Sequence, residues 1–336
     1  MRTPVQHTKS DIAFAATEDD LSYMHNIFKK QNCIRLHNFL EPELLQFLQK
    51  KIKQSAFYED KYKMDSATAV DYRLKDKTID SLLRFLMNDE RLFDFIEKLT
   101  GCNKIGLFQG AVFSLVPGYG HYDSWHQDNF DNRMVSMSIN LSTDVFSGGT
   151  LRIRDYKSKE ILYEITNTGF GDCVIFPVSP DMEHMVTGVT GTVARTAFPG
   201  WFCSRPSYKT ILNRFSKVKK RTSQNKINVS KDSNFVVKEE IFLRKYNGQN
   251  LIFNLENRIC YELDQVGVRV LKLLVKPIML DEILDVISRE YDVRKEQCEP
   301  DIMNLLNELI ANRLINVSEN NPASYKLLQT TGAKRK

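Results

Sequence analysis

The sequence predicts an α+β chain of two domains: a double-stranded β-helix, or jelly-roll, with buttressing helices, followed by a small winged helix-turn-helix domain. Three observations carry that expectation. Helical periodicity with start and stop signals runs through residues 41–101. From residue 104 to 205 it gives way to short β-runs separated by Gly, Asn, Asp and Pro. After a basic stretch, three further β-runs precede three amphipathic helices between residues 235 and 317. At 336 residues the chain is long enough for about two domains, each with its own core. The expected boundaries are a polar segment 1–30, the β-helix domain 31–205, a basic linker 206–233, the winged-helix domain 234–318 and a tail 319–336.

Residues 1–30 are weakly patterned, with a helix over 21–28, and 33–39 alternates as a strand. Glu41-Pro42 starts a helix, since proline at the first helical position lacks only an N–H that has no partner there. Leu44, Leu45, Leu48 and Ile52 keep its period, and helices over 79–87 and 91–99 end at Gly101. Strands are expected over 105–116, 134–141, 149–154, 161–165, 172–176, 184–186 and 192–203, punctuated by Gly148-Gly149 and by Gly169 to Asp172. Residues 208–215 read as a helix before the linker. In the second domain, strands over 235–246, 251–255 and 258–263 are joined by Asn247-Gly248, a strong hairpin signal, and by Glu256-Asn257. Asp264 caps the next helix, with Val270, Leu271 and Leu274 inward. Leu280, Ile283, Leu284, Ile287 and Tyr291 form the stripe of a second. Pro300 opens the third, with Ile302, Leu305, Leu306, Leu309 and Ile310 on one face.

The net charge of +5 is modest, and much of the excess lies between Lys209 and Lys231, where no acid occurs. That run reads as a solvated linker, with a nucleic-acid or acidic-peptide contact as the alternative. Six scattered cysteines without C-x-x-C spacing read as free thiols in a reducing compartment. The apolar run Ala13 to Ala16 is followed at once by acids, unlike a signal peptide, and no segment approaches a membrane span. The expectation is a cytoplasmic protein without a membrane partner.

The chemistry concentrates between Phe113 and Arg195. Trp125-His126-Gln127-Asp128 supplies an imidazole and a carboxylate, and His184 follows 58 residues after His126. Two imidazoles and one carboxylate on one face of a metal leave open positions, which suits Fe(II) that must also bind a co-substrate and O2. Arg195, eleven residues past His184, offers a planar fork for a carboxylate. His121-Tyr122-Asp123 is a second H-x-D. His126 and Asp128 are favoured because His121 sits in a Gly-Tyr-Gly turn, which leaves His121 and Asp123 as surface or substrate-rim residues. His25 and His37 read as structural or surface histidines.

On these residues the chain resembles the Fe(II)/2-oxoglutarate-dependent dioxygenases. Trp125 to Asp128 is similar to the phytanoyl-CoA hydroxylase branch. Asn140-Leu141, Gly148 to Leu151, Gly171-Asp172, Phe176-Pro177 and His184 to Gly191 are similar to the prolyl-hydroxylase branch. The resemblance covers roughly residues 30–205. It implies His126, Asp128 and His184 as iron ligands, Arg195 as partner of the far carboxylate of 2-oxoglutarate, and Fe(II), 2-oxoglutarate and O2 as cofactor and co-substrates. Many members carry Ser two residues past that arginine, where this chain has Ala197, so one hydroxyl contact is missing. Retention of Asp128 disfavours a halogenase.

Residues 235–317 resemble the PqqD family, the leader-peptide recognition module of ribosomal peptide modification. Leu255 to Arg258, Tyr261 to Gly267, Val270 to Leu274, Leu280 to Ile283 and Asp301 to Leu314 carry the likeness. A DNA-binding winged helix is the rival. The candidate recognition helix, 300–313, carries Asp301 and Glu308 against Arg313, which argues against nucleic acid. Together the resemblances imply a peptide hydroxylase acting on a ribosomal precursor, whose leader adds as a strand beside Arg258, Ile259, Tyr261 and Leu263. The alternatives are a small-molecule hydroxylase whose second domain only docks or forms a homodimer, and a winged-helix regulator sensing 2-oxoglutarate or iron.

Overall fold

Val5–His7 (β1) and Ile12–Phe14 (β2) pair as a hairpin ahead of a fourteen-residue helix, α1 (Glu18–Gln31). Thr17 and Asp20 cap that helix reciprocally: Thr17 Oγ accepts from the Asp20 N–H, and the Asp20 carboxylate from the Thr17 N–H. The structure, a computed structural model, describes residues 3–64, 67–130, 132–166, 168–208, 233–246 and 248–319. Two units are distinguished, one of residues 1–217 with 242–248, the other of 218–241 with 249–336.

In the first unit β3 (Ile34–Leu36) leads to α2 (Pro42–Lys53), which buries Leu44, Leu45, Phe47, Leu48 and Ile52. A hairpin follows, β4 (Phe57–Met64) and β5 (Ala67–Leu74), in a register that sets Asp60 opposite Asp71. The helices α3 (Lys77–Met87) and α4 (Glu90–Thr100) start at Asp76 and Asp89, whose carboxylates accept from backbone N–H groups. Gly101, at φ +73°, ends α4 in the left-handed conformation that glycine adopts without penalty.

The remaining strands are β6 (Leu107–Gly110), β7 (Phe113–Leu115), β8 (Tyr122–His126), β9 (Arg133–Asn140), β10 (Ser147–Gly148), β11 (Leu151–Asp155), β12 (Ile161–Ile165), β13 (Cys173–Pro177), β14 (Met182–Val186), β15 (Val189–Thr190) and β16 (Arg195–Cys203). Twelve strands form one curled antiparallel sheet in the order β12-β11-β14-β8-β5-β7-β16-β9-β13-β3, with β4 added on β5 and β6 on β16. Alternation sorts its side chains. Arg195, Ala197, Pro199 and Trp201 of β16 share one face with Ser136 and Ser138 of β9 and Phe176 of β13, and that face lines a cavity. Phe198 and Phe202 point the other way, where they meet Phe108, and Phe202 also meets Phe93 of α4.

In the second unit, β17 (Ser233–Val237) lies between β21 (Ile278–Met279) and β22 (Ile315–Glu319). The strand β18 (Ile241–Tyr246) follows β17, and its residues from Phe242 onward belong to the first unit. There Phe242 packs on Phe47 with ring centroids 5.4 Å apart, and the fully buried Arg244 donates to Thr8 O at 2.8 Å. In the second unit β19 (Gln249–Asn254) pairs with β20 (Ile259–Leu263). The helices are α5 (Gln265–Leu273), capped by Asp264, α6 (Leu280–Glu290) and α7 (Lys295–Ala311).

Several expectations need correction. The 105–116 strand is two strands, β6 and β7, and the 235–246 strand is likewise two. The hairpin β4–β5 and the strand β8 were not anticipated. The third C-terminal helix begins at Lys295, so Pro300 lies inside it rather than opening it. Tyr291 is exposed, because the helix that aimed it inward has already ended at Glu290. The helix expected over 208–215 and the basic run between Lys209 and Lys231 fall, apart from Tyr208, outside the described residues.

Candidate metal centre

His126 closes β8 and His184 lies in β14, directly opposite it in the ladder. The register shifts between this pair and the next, Val186 with Asp123, so β8 bulges by one residue. The bulge turns His126 back over Ser124, whose carbonyl lies 2.7 Å from His126 Nδ1. That contact makes Nδ1 the protonated nitrogen and leaves the Nε2 lone pair for a ligand. Asp128 follows two residues beyond the strand, with its carbonyl accepting from Phe130 N. Its carboxylate lies 3.4 Å from His184 Nε2 and 3.9 Å from His126 Nε2. Donor atoms of the three residues all fall within 4.8 Å of one another, the only such group among the described residues.

Electrostatics keep the donors ready. Burial pushes His184 down to about 3, and His126 beside it acts in the same direction, so its imidazole is neutral, as a metal ligand must be. Both oxygens of the buried Asp128 are anchored: Arg133 donates to Oδ1 at 2.9 Å and the Trp201 indole to Oδ2 at 2.5 Å. The Arg133 guanidinium stacks between the rings of Phe130 and Trp201, at 3.9 and 3.6 Å. Sequence reading missed Arg133 and Trp201. The spacing of Trp201, six residues past Arg195 on the same strand face, was the available signal.

Arg195 opens β16 on the cavity side and makes no ion pair or hydrogen bond among the described residues. Burial lowers its pKa to about 10, with Asp123 opposing. Three other arginines near it in sequence are engaged: Arg152 with Glu164, Arg154 with Glu183 and the Trp125 ring, Arg205 with Asn132. The turn expected at Gly148-Gly149 exists, with both residues at positive φ. A Cβ on Gly149 would come within 2.6 Å of Arg195 Cδ, so glycine there leaves room for the arginine stem. A partly buried guanidinium without an anion, facing a three-donor group across one cavity, fits a metal-chelating acid with a second carboxylate.

The cavity measures about 480 Å³ and holds His126, Asp128, His184 and Arg195 among apolar walls that include Phe113, Leu151, Phe176 and Val186. The hairpin β4–β5 contributes Asp60, Asp71 and Arg73. Arg73 pairs with Asp60 at 2.8 Å, while one oxygen of Asp71 is buried without a partner. Burial raises Asp71 to about 7, against the pull of Arg73.

His121 is not at the surface. It is 2% exposed, its Nδ1 accepts from Val116 N at 3.0 Å, and its ring packs edge-on against Tyr72. Asp123 does line the cavity, 3.3 Å from His126 Nδ1, and burial raises its pKa. His25 bonds Leu99 O and His37 bonds Asp172, both structural contacts. In the second unit Ile259, Tyr261 and Leu263 lie on β20, with Arg258 just before it at φ +59°. The side chains of Tyr261 and Leu263 are buried. All six cysteines are free, and no helix among the described residues is long and apolar enough to cross a membrane.

Two family profiles match the chain. Residues 111–203 match the 2OG-Fe(II) oxygenase superfamily, and residues 249–315 match Coenzyme PQQ synthesis protein D (PqqD). No curated protein matches it. Solved structures similar to the chain include an oxidoreductase of the 2OG-Fe(II) oxygenase family from Burkholderia pseudomallei, at 12% identity over 60% of this chain and 98% of that one, TM-score 0.44. A Pseudomonas putida prolyl-4-hydroxylase is similar at 18% identity over 55% and 99%, TM-score 0.43. TbiB1 in complex with the TbiA(beta) leader peptide is similar at 25% identity over 24% and 94%, TM-score 0.23. The profile matches make residues 111–203 a 2OG-Fe(II) oxygenase domain and residues 249–315 a PqqD domain, and the chain is an oxygenase that uses Fe(II), 2-oxoglutarate and O2.

Proposed function

We propose that the protein hydroxylates, or otherwise oxidises at a C–H bond, a residue of a ribosomally made precursor peptide whose leader binds the PqqD domain. The observation that carries this reading is the presence, in one chain, of an iron oxygenase domain and a PqqD domain with an available strand edge. Within the second unit β20 pairs with β19, and no strand among the described residues pairs its other edge. An extended leader adding there gains main-chain hydrogen bonds that tolerate sequence variation. The buried Tyr261 and Leu263 side chains hold the edge in place, while the backbone of Ile259 to Leu263 makes the contact. Tethering brings the core peptide to an effective concentration of about millimolar for a short flexible connection, so the cavity itself can bind weakly.

In this reading the β-strands of 31–205 form the double-stranded β-helix, 206–233 is a linker and 234–318 is a winged helix-turn-helix. The protein works in the cytoplasm without nucleic acid, with a homodimer as an open alternative. His126, Asp128 and His184 hold Fe(II), and Arg195 holds the far carboxylate of 2-oxoglutarate. Bound there, these groups supply oxidation of an unactivated C–H bond with conversion of 2-oxoglutarate to succinate and CO2. The chain does the rest. Arg133 and Trp201 fix Asp128, Gly149 makes room for Arg195, and Phe113, Leu151, Phe176 and Val186 keep water from the reacting bond.

The test is mass spectrometry of a precursor peptide encoded beside this protein, incubated with the full chain, Fe(II) and 2-oxoglutarate. The expected product carries one added oxygen, or has lost two hydrogens, and forms far more slowly once the leader is removed. Equal modification of leaderless peptide would move the small-molecule reading ahead.

A further inference from the structure

Ala197 shares the cavity face of β16 with Arg195 yet brings no polar atom to it. Arg195 therefore has no hydroxyl beside it two residues on along the cavity face of its own strand. The neighbouring strand supplies one. In the β9–β16 ladder Asn140 stands opposite Ala197, Ser138 opposite Pro199 and Ser136 opposite Trp201, all on the cavity face. Ser138 lines both the main cavity and the small recess behind it, and Arg195 lines the same two spaces. Its hydroxyl makes no hydrogen bond among the described residues.

The neighbours are less suited. The Asn140 amide is committed at both ends, donating to Thr168 O at 2.8 Å and accepting from Ser142 N at 3.0 Å. Ser136 lies opposite Trp201, the residue that donates to Asp128, and lines the main cavity only. Thr196 points to the other face of β16 and bonds Ser142 through its backbone. Two uncommitted donors, one cationic and one neutral, thus flank the same recess. A carboxylate takes up both, since its two oxygens offer about four lone-pair sites.

We propose that Ser138 donates its hydroxyl to the far carboxylate of 2-oxoglutarate and completes, with Arg195, the cradle that Ala197 leaves open. The proposal rests on the assignment of Arg195 to that carboxylate, and is independent of which substrate is oxidised.

Calorimetric titration of the anaerobic, Fe(II)-loaded full chain tests it with two acids. One is 2-oxoglutarate. The other is 2-oxopentanoate, which keeps the chelating end and the carbon chain but lacks the far carboxylate. In Ser138→Ala, 2-oxoglutarate should bind about ten- to a hundred-fold more weakly, the worth of a hydrogen bond to a charged group, while 2-oxopentanoate is unaffected. Ser138→Ala combined with Ala197→Ser should recover most of the loss, because the hydroxyl returns to the same recess from the other strand. Equal weakening of both acids would mean that Ser138 only supports the sheet, and no weakening would mean that it makes no contact; either overturns the proposal. Arg195→Gln runs in parallel. If that variant still prefers 2-oxoglutarate over 2-oxopentanoate as the parent does, the Arg195 assignment itself fails, and Ser138 with it.

Discussion

The Trp201 indole donates to Asp128 Oδ2 at 2.5 Å, from the strand that six residues earlier carries Arg195. One stiff segment therefore sets both the orientation of the Asp128 carboxylate and the position of Arg195. Trp201→Phe keeps a ring for Arg133 to stack on but removes the donor. Fe(II) affinity should fall about ten-fold, the lower end for partners of metal ligands. A metal titration followed by 2-oxoglutarate binding at saturating Fe(II) reads the effect, and an unchanged metal affinity would show that Arg133 alone suffices.

His126→Ala, Asp128→Ala and His184→Ala should each abolish Fe(II)-dependent succinate formation with the fold intact by circular dichroism. His121→Ala should behave differently. It empties a buried site and strands the Val116 N–H, so it should lower stability by about 2–3 kcal/mol while the surviving folded protein still binds Fe(II). Loss of metal binding in folded His121→Ala would bring the second H-x-D pair back as the ligand set.

Arg195→Lys keeps a charge and loses the fork. The 2-oxoglutarate requirement should rise about ten- to a hundred-fold with Fe(II) affinity unchanged. Steady-state succinate formation over a range of 2-oxoglutarate concentrations provides the measurement. An unaltered requirement would move the anchor away from β16.

Asp71 faces Asp60 across the β4–β5 hairpin, and burial raises it from 3.8 to about 7. Because the folded value lies above the unfolded one, its favourable contribution is complete below about pH 4 and is lost as pH rises through about 7. Asp71→Asn removes that penalty. Relative to the parent, the variant should gain roughly 2–4 kcal/mol of stability between pH 5 and pH 8. Urea unfolding at the two pH values decides it, and a difference that does not change with pH would refute the buried-carboxylate account.

The Ile259 N–H donates to the Asn257 side chain in the turn that opens β20. Tyr261→Pro in the full chain should weaken leader binding by at least ten-fold, since proline removes an N–H from β20 and disrupts the strand on whose edge the leader adds. Fluorescence anisotropy with a labelled leader measures it, and Fe(II) and 2-oxoglutarate binding by the same protein checks that the oxygenase domain is unharmed. Undiminished leader affinity would place the leader elsewhere.

How much of this was legible differs from element to element. That His126, Asp128, His184 and Arg195 gather around one cavity could be read because ligand chemistry restricts residue type and spacing, whatever the strands between them do. The helices could be read because Pro42, Gly101 and Asp264 punctuate an apolar period. The hairpin β4–β5 could not. Its cavity-facing positions hold Asp60, Asp71 and Arg73 where a core-facing strand would hold apolar residues, so the alternation that betrays a strand is absent. The strand β8 was hidden in the same way, by Asp123 and His126 on its cavity side and by the glycines before it. Arg133 and Trp201 act through Asp128, and a residue that acts through another leaves no motif of its own.

The placement of Phe242–Gly248 in the first unit bears on how the chain is made. Arg244 reaches Thr8 across 236 residues of sequence. A ribosome adding about 5–20 residues per second completes residue 217 and then needs roughly 2–6 s more to reach residue 248. During that interval the nascent first unit has His126, Asp128, His184 and Arg195 but lacks residues 242–248, and the apolar surface of Phe47 that Phe242 will cover faces water.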